Sequence, residues 1–420
     1  MGHSIITLER KSHLYYNERS CNNFRRSAML LIKNAKLFTM AGIDYENGYI
    51  ASEGEKITAL GDDASELARL EAASSEVIDA NGCYVLPGFI DAHCHVGMWE
   101  DSVGFEGDDG NETSDPVTPH LRAIDAVYHA DRAFEEARES GVTTVVTGPG
   151  SANVIGGQFA ALKTYGRRVE DMILKEPVAM KVAFGENPKT VYHEKRQAPM
   201  TRMATAALLR ESLMKAQEYK KMKEDYERDS ENFDKPDYDM KMEALLKVLN
   251  GEIPIKAHAH RADDILTAIR IAREFGLRIT IEHCTEGHLI TDILREENVG
   301  VITGPFLTDR SKIELRNQSV KTPGILSAAG IKTAIMTDHP CTPVQYLSLC
   351  AAVAVKEGMD ETEALKAITI NAADITGIDD RVGSLAVGKD ADIIVMDGHP
   401  LELKSRVLYT IINGQVVKKP

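Results

Sequence analysis

A chain of 420 residues with 43% apolar and 27% charged positions has an ordinary globular composition, enough for two or three average domains or one large α/β barrel with an appendage. Its formal net charge of −15 argues against nucleic acid as a partner, because phosphate backbones are met by basic surfaces. Six cysteines without CxxC spacing imply neither a disulfide framework nor a zinc knot, and no run of about 18 apolar residues offers a membrane span.

In residues 1–28, Arg10, Lys11, Arg19, Arg25 and Arg26 surround short apolar pieces with no hydrophobic region or cleavage site. An extension ahead of Met29 is expected there rather than a signal peptide. From Met29 the pattern becomes short alternating strands: 30–38, 48–50, 56–60 and 76–80, the last ending at the turn signal Asn81-Gly82. The same texture returns at 391–397 and 407–412, with Asn413-Gly414 turning into Gln415-Val416-Val417. Open strand edges are a liability, so residues 29–84 and 384–420 are expected to combine into one small β-sandwich.

Between them, residues 85–383 repeat a strand-then-helix beat. Strands are predicted at 85–92, 142–147, 155–162, 177–184, 253–259, 278–283, 298–303 and 331–337, with helices at 119–140, 262–275, 285–296 and 362–374. The third strand carries the weakest pattern, since Asn153 to Gln158 also reads as loop, so seven strands stay open. Eight strands with helical crossovers is the count of a closed (β/α)8 TIM-like barrel. Residues 202–249 form a charged insert with helices expected from Leu208 to Arg228 and Asp239 to Leu249, packed on the barrel rim or laid over a substrate as a lid.

Catalysis in such barrels sits at the C-terminal strand ends, and the polar residues there are specific. The first strand runs into His93-Cys94-His95, whose imidazoles share a face because side chains alternate along a strand. The fourth carries Lys181, the fifth ends in His258-Ala259-His260, the sixth in Glu282-His283, and the eighth in Thr337-Asp338. One buried imidazole bonded to a carbonyl, or one Asp capping a helix, would be unremarked. Four strands ending in imidazole or carboxylate are harder to explain by packing, because unpaired polar groups are costly where strands converge. A divalent metal site is expected; imidazole and carboxylate without thiolate suit zinc, with manganese and iron open. Cys94 and Cys284, each beside a candidate ligand, suit a reducing compartment, and a cytoplasmic location is expected.

The sequence resembles the amidohydrolase superfamily, in the branch of imidazolonepropionases and prolidase-like, metal-dependent dipeptidases. The likeness lies in Pro87-Gly88-Phe89-Ile90-Asp91-Ala92-His93-Cys94-His95, in Pro254 to His260, in Glu282-His283, in Thr337-Asp338 and in the closing run Gly383 to Asp392. It implies a barrel with His93, His95, His258, His283 and Asp338 around one or two ions, Lys181 matching a carbamylated lysine that bridges two metals. Glu186 is the alternative carboxylate ligand. It further implies hydrolysis of a C–N bond in a cyclic amide or short peptide, with Asp338 moving the proton and His283 either holding an ion or donating to the oxyanion. Deaminases of the superfamily carry an acid where this chain has Arg261, which makes a deaminase the alternative; a non-catalytic scaffold is the third reading. His260, Arg261, Gln158 and Lys256 are candidate substrate contacts, as are Arg310 and Lys312; His120 is a weak ligand candidate. The expected partner is a small-molecule substrate, and a homo-oligomer is a family-level expectation.

Overall fold

The computed structural model of the chain describes residues 29–100 and 103–420; the expected extension at 1–28 lies outside them. Two eight-stranded sheets organise the fold. The barrel sheet takes its strands in chain order: Phe89–Cys94, Val142–Thr147, Ile155–Lys163, Ile173–Ala183, Ile255–Ala259, Ile279–His283, Gly300–Thr303 and Thr333–Ile335. Most are buried along their whole length, which explains their near-continuous apolar sequences. The eighth strand closes on the first through the chain just beyond it. The Asp338 amide donates to the His93 carbonyl at 3.2 Å, and the His95 amide to the His339 carbonyl at 3.0 Å. The Thr337 hydroxyl also donates to the buried carboxylate of Asp91.

The third strand departs from an all-parallel barrel. It is antiparallel to both neighbours, with Thr144 opposite Lys163 and Phe159 opposite Ala179. Only residues 148–154 separate it from the second strand, too short a connection for the crossover that a parallel pair needs. The second and third strands are therefore a hairpin, and the loop between them lies at the mouth formed by the C-terminal ends of the other strands.

The two chain ends combine into one continuous sheet. Tyr84–Pro87 splices them, pairing with Met29–Leu37 on one side and Ile393–Met396 on the other. Residues 85–87, expected as the start of the first barrel strand, thus belong to this sheet, and the barrel strand begins at Phe89. Leu30, Ile32, Val85, Ile393 and Ile411 form its core. The sheet is attached to the barrel by an apolar face, where Ile394 and Met396 share a core with Phe89, Val142 and Leu162, and by an ionic cluster. Lys163, at the end of the reversed third strand, pairs with Asp392 and lies 3.1 Å from Asp390, which also takes Lys56 and Arg381. The closing run Gly388-Lys389-Asp390-Ala391-Asp392 is thereby a structural clamp.

The predicted helix at 262–275 is present as Ala262–Phe275, ended by Gly276 in the left-handed conformation. The stretch 119–140 is helical only at Arg132–Glu139, with a short turn at Ala123–Asp125. Residues 362–374 divide into Glu361–Ala367 and Ile370–Thr376, and 285–296 into a turn, Gly287–Leu289, and the helix Thr291–Glu296. The insert forms Arg202–Arg228 and Met240–Leu249; Leu209, Leu213, Leu245 and Val248 are buried in the same core as the strands. None of its residues lines the cavity described below, and the insert packs on the barrel. No helix among the described residues is long and apolar enough to cross a membrane.

Candidate metal centre

The strand ends bring together two buried groups of ligand-type side chains. His93, His95 and Asp338 form one, and His258, His260 and His283 the other; within each group one ligand atom per residue lies within 4.8 Å of the others. In the first, Nε2 of His95 is 3.2 Å and Nε2 of His93 3.5 Å from Oδ1 of Asp338. The Nδ1–H of His95 donates to the Gly148 carbonyl at 2.7 Å, so its Nε2 faces the aspartate. In the second, Nδ1 of His283 donates to the Gly304 carbonyl at 3.0 Å, and Nδ1 of His260 is bonded to the Thr285 hydroxyl at 2.8 Å, so neither uses Nε2 in these bonds. Asp338 and His283 both take left-handed backbone, φ 53° and 68°, strain of the kind that collects at functional sites.

The electrostatics suit a cation. Burial pushes His258 and His283 well below the ordinary imidazole value, and the neighbouring imidazoles push them further, so both are neutral lone-pair donors. Burial alone would raise Asp338, but the adjacent His93 and His95 imidazoles hold its carboxyl well below the usual range. His258 is buried, and neither of its ring nitrogens has a hydrogen-bond partner among the described residues. Such an imidazole is costly unless something outside the protein completes it. Neutral imidazoles and an ionised carboxylate are the donor set of zinc and related divalent ions.

Lys181 reaches the same place from the fourth strand. Its Nζ is 3.1 Å from Nε2 of His93 and lines the same cavity as His258, His283 and Asp338. Burial lowers its pKa to about 8, against the pull of Glu282 and Asp338. The cavity has a volume of about 800 Å³. Besides those residues, Trp99, Ser151, Asn187, Lys312, Leu315 and Cys341 contribute from loops at the barrel mouth.

Other predicted contacts lie elsewhere. Arg261 is turned onto Asp263 by two hydrogen bonds of 2.9 Å, and Gln158 is buried with its amide donating to the Pro119 carbonyl; neither lines the cavity. Lys256 is buried inside the barrel against Glu282. Arg310 donates to the Gln318 carbonyl, and His120 is outside the lining. His260 does line the cavity, as do Glu186 and Lys312, the lysine donating to Asn187 at 2.6 Å. Glu186 belongs to neither ligand group.

Two carboxylates were not singled out from the sequence. Glu314 is buried, with Oε1 3.6 Å from Nε2 of His260 and 4.0 Å from Nε2 of His258, and Oε2 accepting the Glu186 amide at 2.9 Å. It arrives on a short turn, Ile313–Leu315, with no periodic pattern to mark it. Glu282 precedes His283 on the sixth strand, a charge at an interior strand position, and it faces His93 rather than solvent.

The profile described as Amidohydrolase family matches residues 84–417. Among solved structures, an amidohydrolase from Thermotoga maritima MSB8 superposes with a TM-score of 0.88 at 42% identity, covering 93% of this chain and 100% of that one. Among curated proteins, the amidohydrolase tasK of Hapsidospora irregularis is 29% identical over 361 residues, 80% of this chain but only 37% of that protein. An imidazolonepropionase of Fusobacterium nucleatum is 26% identical over 394 residues, 84% of this chain and 85% of its own length.

Proposed function

The chain belongs to the amidohydrolase family, and from that premise we propose that it hydrolyses a carbon–nitrogen bond in a cyclic amide or short peptide, using one or two divalent ions, zinc by donor set. His93, His95 and Asp338 would hold one ion, His258 and His283 the other, with Lys181 between them. The observation that carries this reading is the buried His258, with no hydrogen-bond partner at either nitrogen among the described residues, on the wall of the cavity that Asp338 and Lys181 also line.

A bound divalent ion supplies Lewis acidity, bringing the pKa of water toward neutrality and polarising the scissile carbonyl. Asp338, kept ionised by its histidine neighbours, accepts the proton of the attacking water and returns it to the leaving nitrogen. Lys181, whose amine is half neutral near pH 8, is suited to take up carbon dioxide as a carbamate, which turns a cation into a carboxylate facing both groups. His283, with Nδ1 committed to the Gly304 carbonyl, presents Nε2. Trp99, Leu315 and Pro305 give the cavity apolar walls.

The test is a hydrolysis screen of Xaa-Pro and other dipeptides, N-acyl amino acids and cyclic ureides, with Zn²⁺ or Mn²⁺ supplied. Turnover of one class, abolished by Asp338→Asn, is expected; absence of turnover in every class by the metal-loaded chain overturns the reading. A second reading, deamination of a ring amine, draws on Glu314, a carboxyl raised by burial beside His260, which can substitute for the acid missing at Arg261. Ammonia released from aminated heterocycles in the same screen identifies it.

A further inference from the structure

Behind the first ligand group lies a charged array that faces neither solvent nor the cavity. Nδ1 of His93 is 3.2 Å from Oε2 of Glu282, an ion-pair distance, and makes no aligned hydrogen bond among the described residues. The same carboxylate oxygen is 2.8 Å from Nζ of Lys256. Oε1 of Glu282 accepts the Thr280 hydroxyl at 2.6 Å, and Lys256 also donates to the Ala92 carbonyl at 3.0 Å, next to His93 in the first strand. The side chains of His93 and Glu282 are fully buried and that of Lys256 is 2% exposed. His93 is held flat as well, its ring stacked on Phe159 at 5.2 Å.

Burying an ion pair inside a barrel gives little or no stability over apolar residues of the same size, so packing alone does not account for Lys256 and Glu282. We propose that Glu282, fixed by Lys256 and Thr280, is a positioning residue for His93. It accepts the Nδ1 proton, selects the tautomer with the lone pair on Nε2, and aims that nitrogen at the point shared with His95 and Asp338. A carboxylate behind a ligating imidazole also strengthens it as a donor. Lys256 cancels the carboxylate charge, so the array adds no net charge beneath the ion. The inference rests on the metal-binding part of the proposed function and is independent of which bond is hydrolysed.

The test measures Zn²⁺ affinity by chelator competition, and the visible spectrum of the Co²⁺-loaded chain, for the wild type, Glu282→Gln, and the double variant Lys256→Met/Glu282→Met. The double variant replaces the pair by apolar side chains of similar length, which leaves no unpaired buried charge and preserves the fold. Affinity is expected to fall about 10- to 100-fold in both variants, with a changed Co²⁺ spectrum, while circular dichroism stays as in the wild type. If Glu282→Gln does not fold, the double variant alone decides. Wild-type affinity and spectrum in the folded double variant overturn the positioning role and leave the metal reading intact. A wild-type chain that binds neither ion overturns both.

Discussion

The main-chain amide of Asp338 donates to the main-chain carbonyl of His93 at 3.2 Å. That bond ties the end of the last barrel strand to the first across 245 residues of chain and sets the Asp338 carboxylate beside the imidazoles of His93 and His95. The closure of the sheet and the assembly of the first ligand group are thus the same event. Whatever loosens the closure displaces a ligand.

Because the ligand groups are separate, metal content should fall stepwise. If each group holds an ion, His258→Ala is expected to lose that of the second group and to retain that of His93, His95 and Asp338. Metal analysis after dialysis against Zn²⁺ reads one equivalent less per chain than in the wild type. Equal content in both would place the ion away from His258.

Lys181 should be irreplaceable by an apolar side chain. Lys181→Met is expected to lose about 100-fold or more in turnover, since several kcal/mol of charge stabilisation depend on how the ions are held. Wild type equilibrated with ¹³C-bicarbonate should show a carbamate carbon signal that Lys181→Met lacks. No such signal in the active, metal-loaded wild type would mean that the lysine acts as an amine.

Gly88 stands at the step from the sheet of the chain ends into the barrel, in the run Pro87-Gly88-Phe89. A Cβ there would lie 2.1 Å from Oγ1 of Thr143 and 2.3 Å from its Cγ2, on a fully buried neighbouring strand. Gly88→Ala is expected to cost about 1–3 kcal/mol by overpacking, read by urea unfolding. Gly88→Ala combined with Thr143→Ala, which removes the two nearest atoms and leaves only the Thr143 Cβ at 2.7 Å, should recover part of that loss.

Acid should weaken the clamp between sheet and barrel. Burial alone would raise the Asp390 carboxyl, but Arg381, Lys163 and Lys56 outweigh it and bring it from 3.8 to about 2. A carboxylate lower in the folded than the unfolded chain stabilises above the unfolded value and loses that contribution as pH falls. The window here is from about pH 4 down to about pH 2, and the contribution is on the order of 2 kcal/mol. Asp390→Asn should therefore destabilise most at pH 7 and progressively less below pH 4, in unfolding curves compared with the wild type. A difference that does not change between pH 7 and pH 3 would assign the loss to packing.

The ligands were legible because their signal is local. An apolar strand that ends in imidazole or carboxylate is visible in a window of ten residues, and alternation alone places His93 with His95 and His258 with His260. Eight strands, their order in the chain and the helix at 262–275 follow from the same short-range periodicities. What only the folded chain decided depends on residues far apart in sequence. The transfer of Tyr84–Pro87 to the other sheet, Glu282 behind His93 and Glu314 beside His260 arise from pairings across many tens of residues, whereas the reversal of Ile155–Lys163 is a local hairpin set by the short connection 148–154. Periodicity reports which face of a strand is buried; it carries no information about the strand's neighbour, its direction, or the charge that waits on the other side.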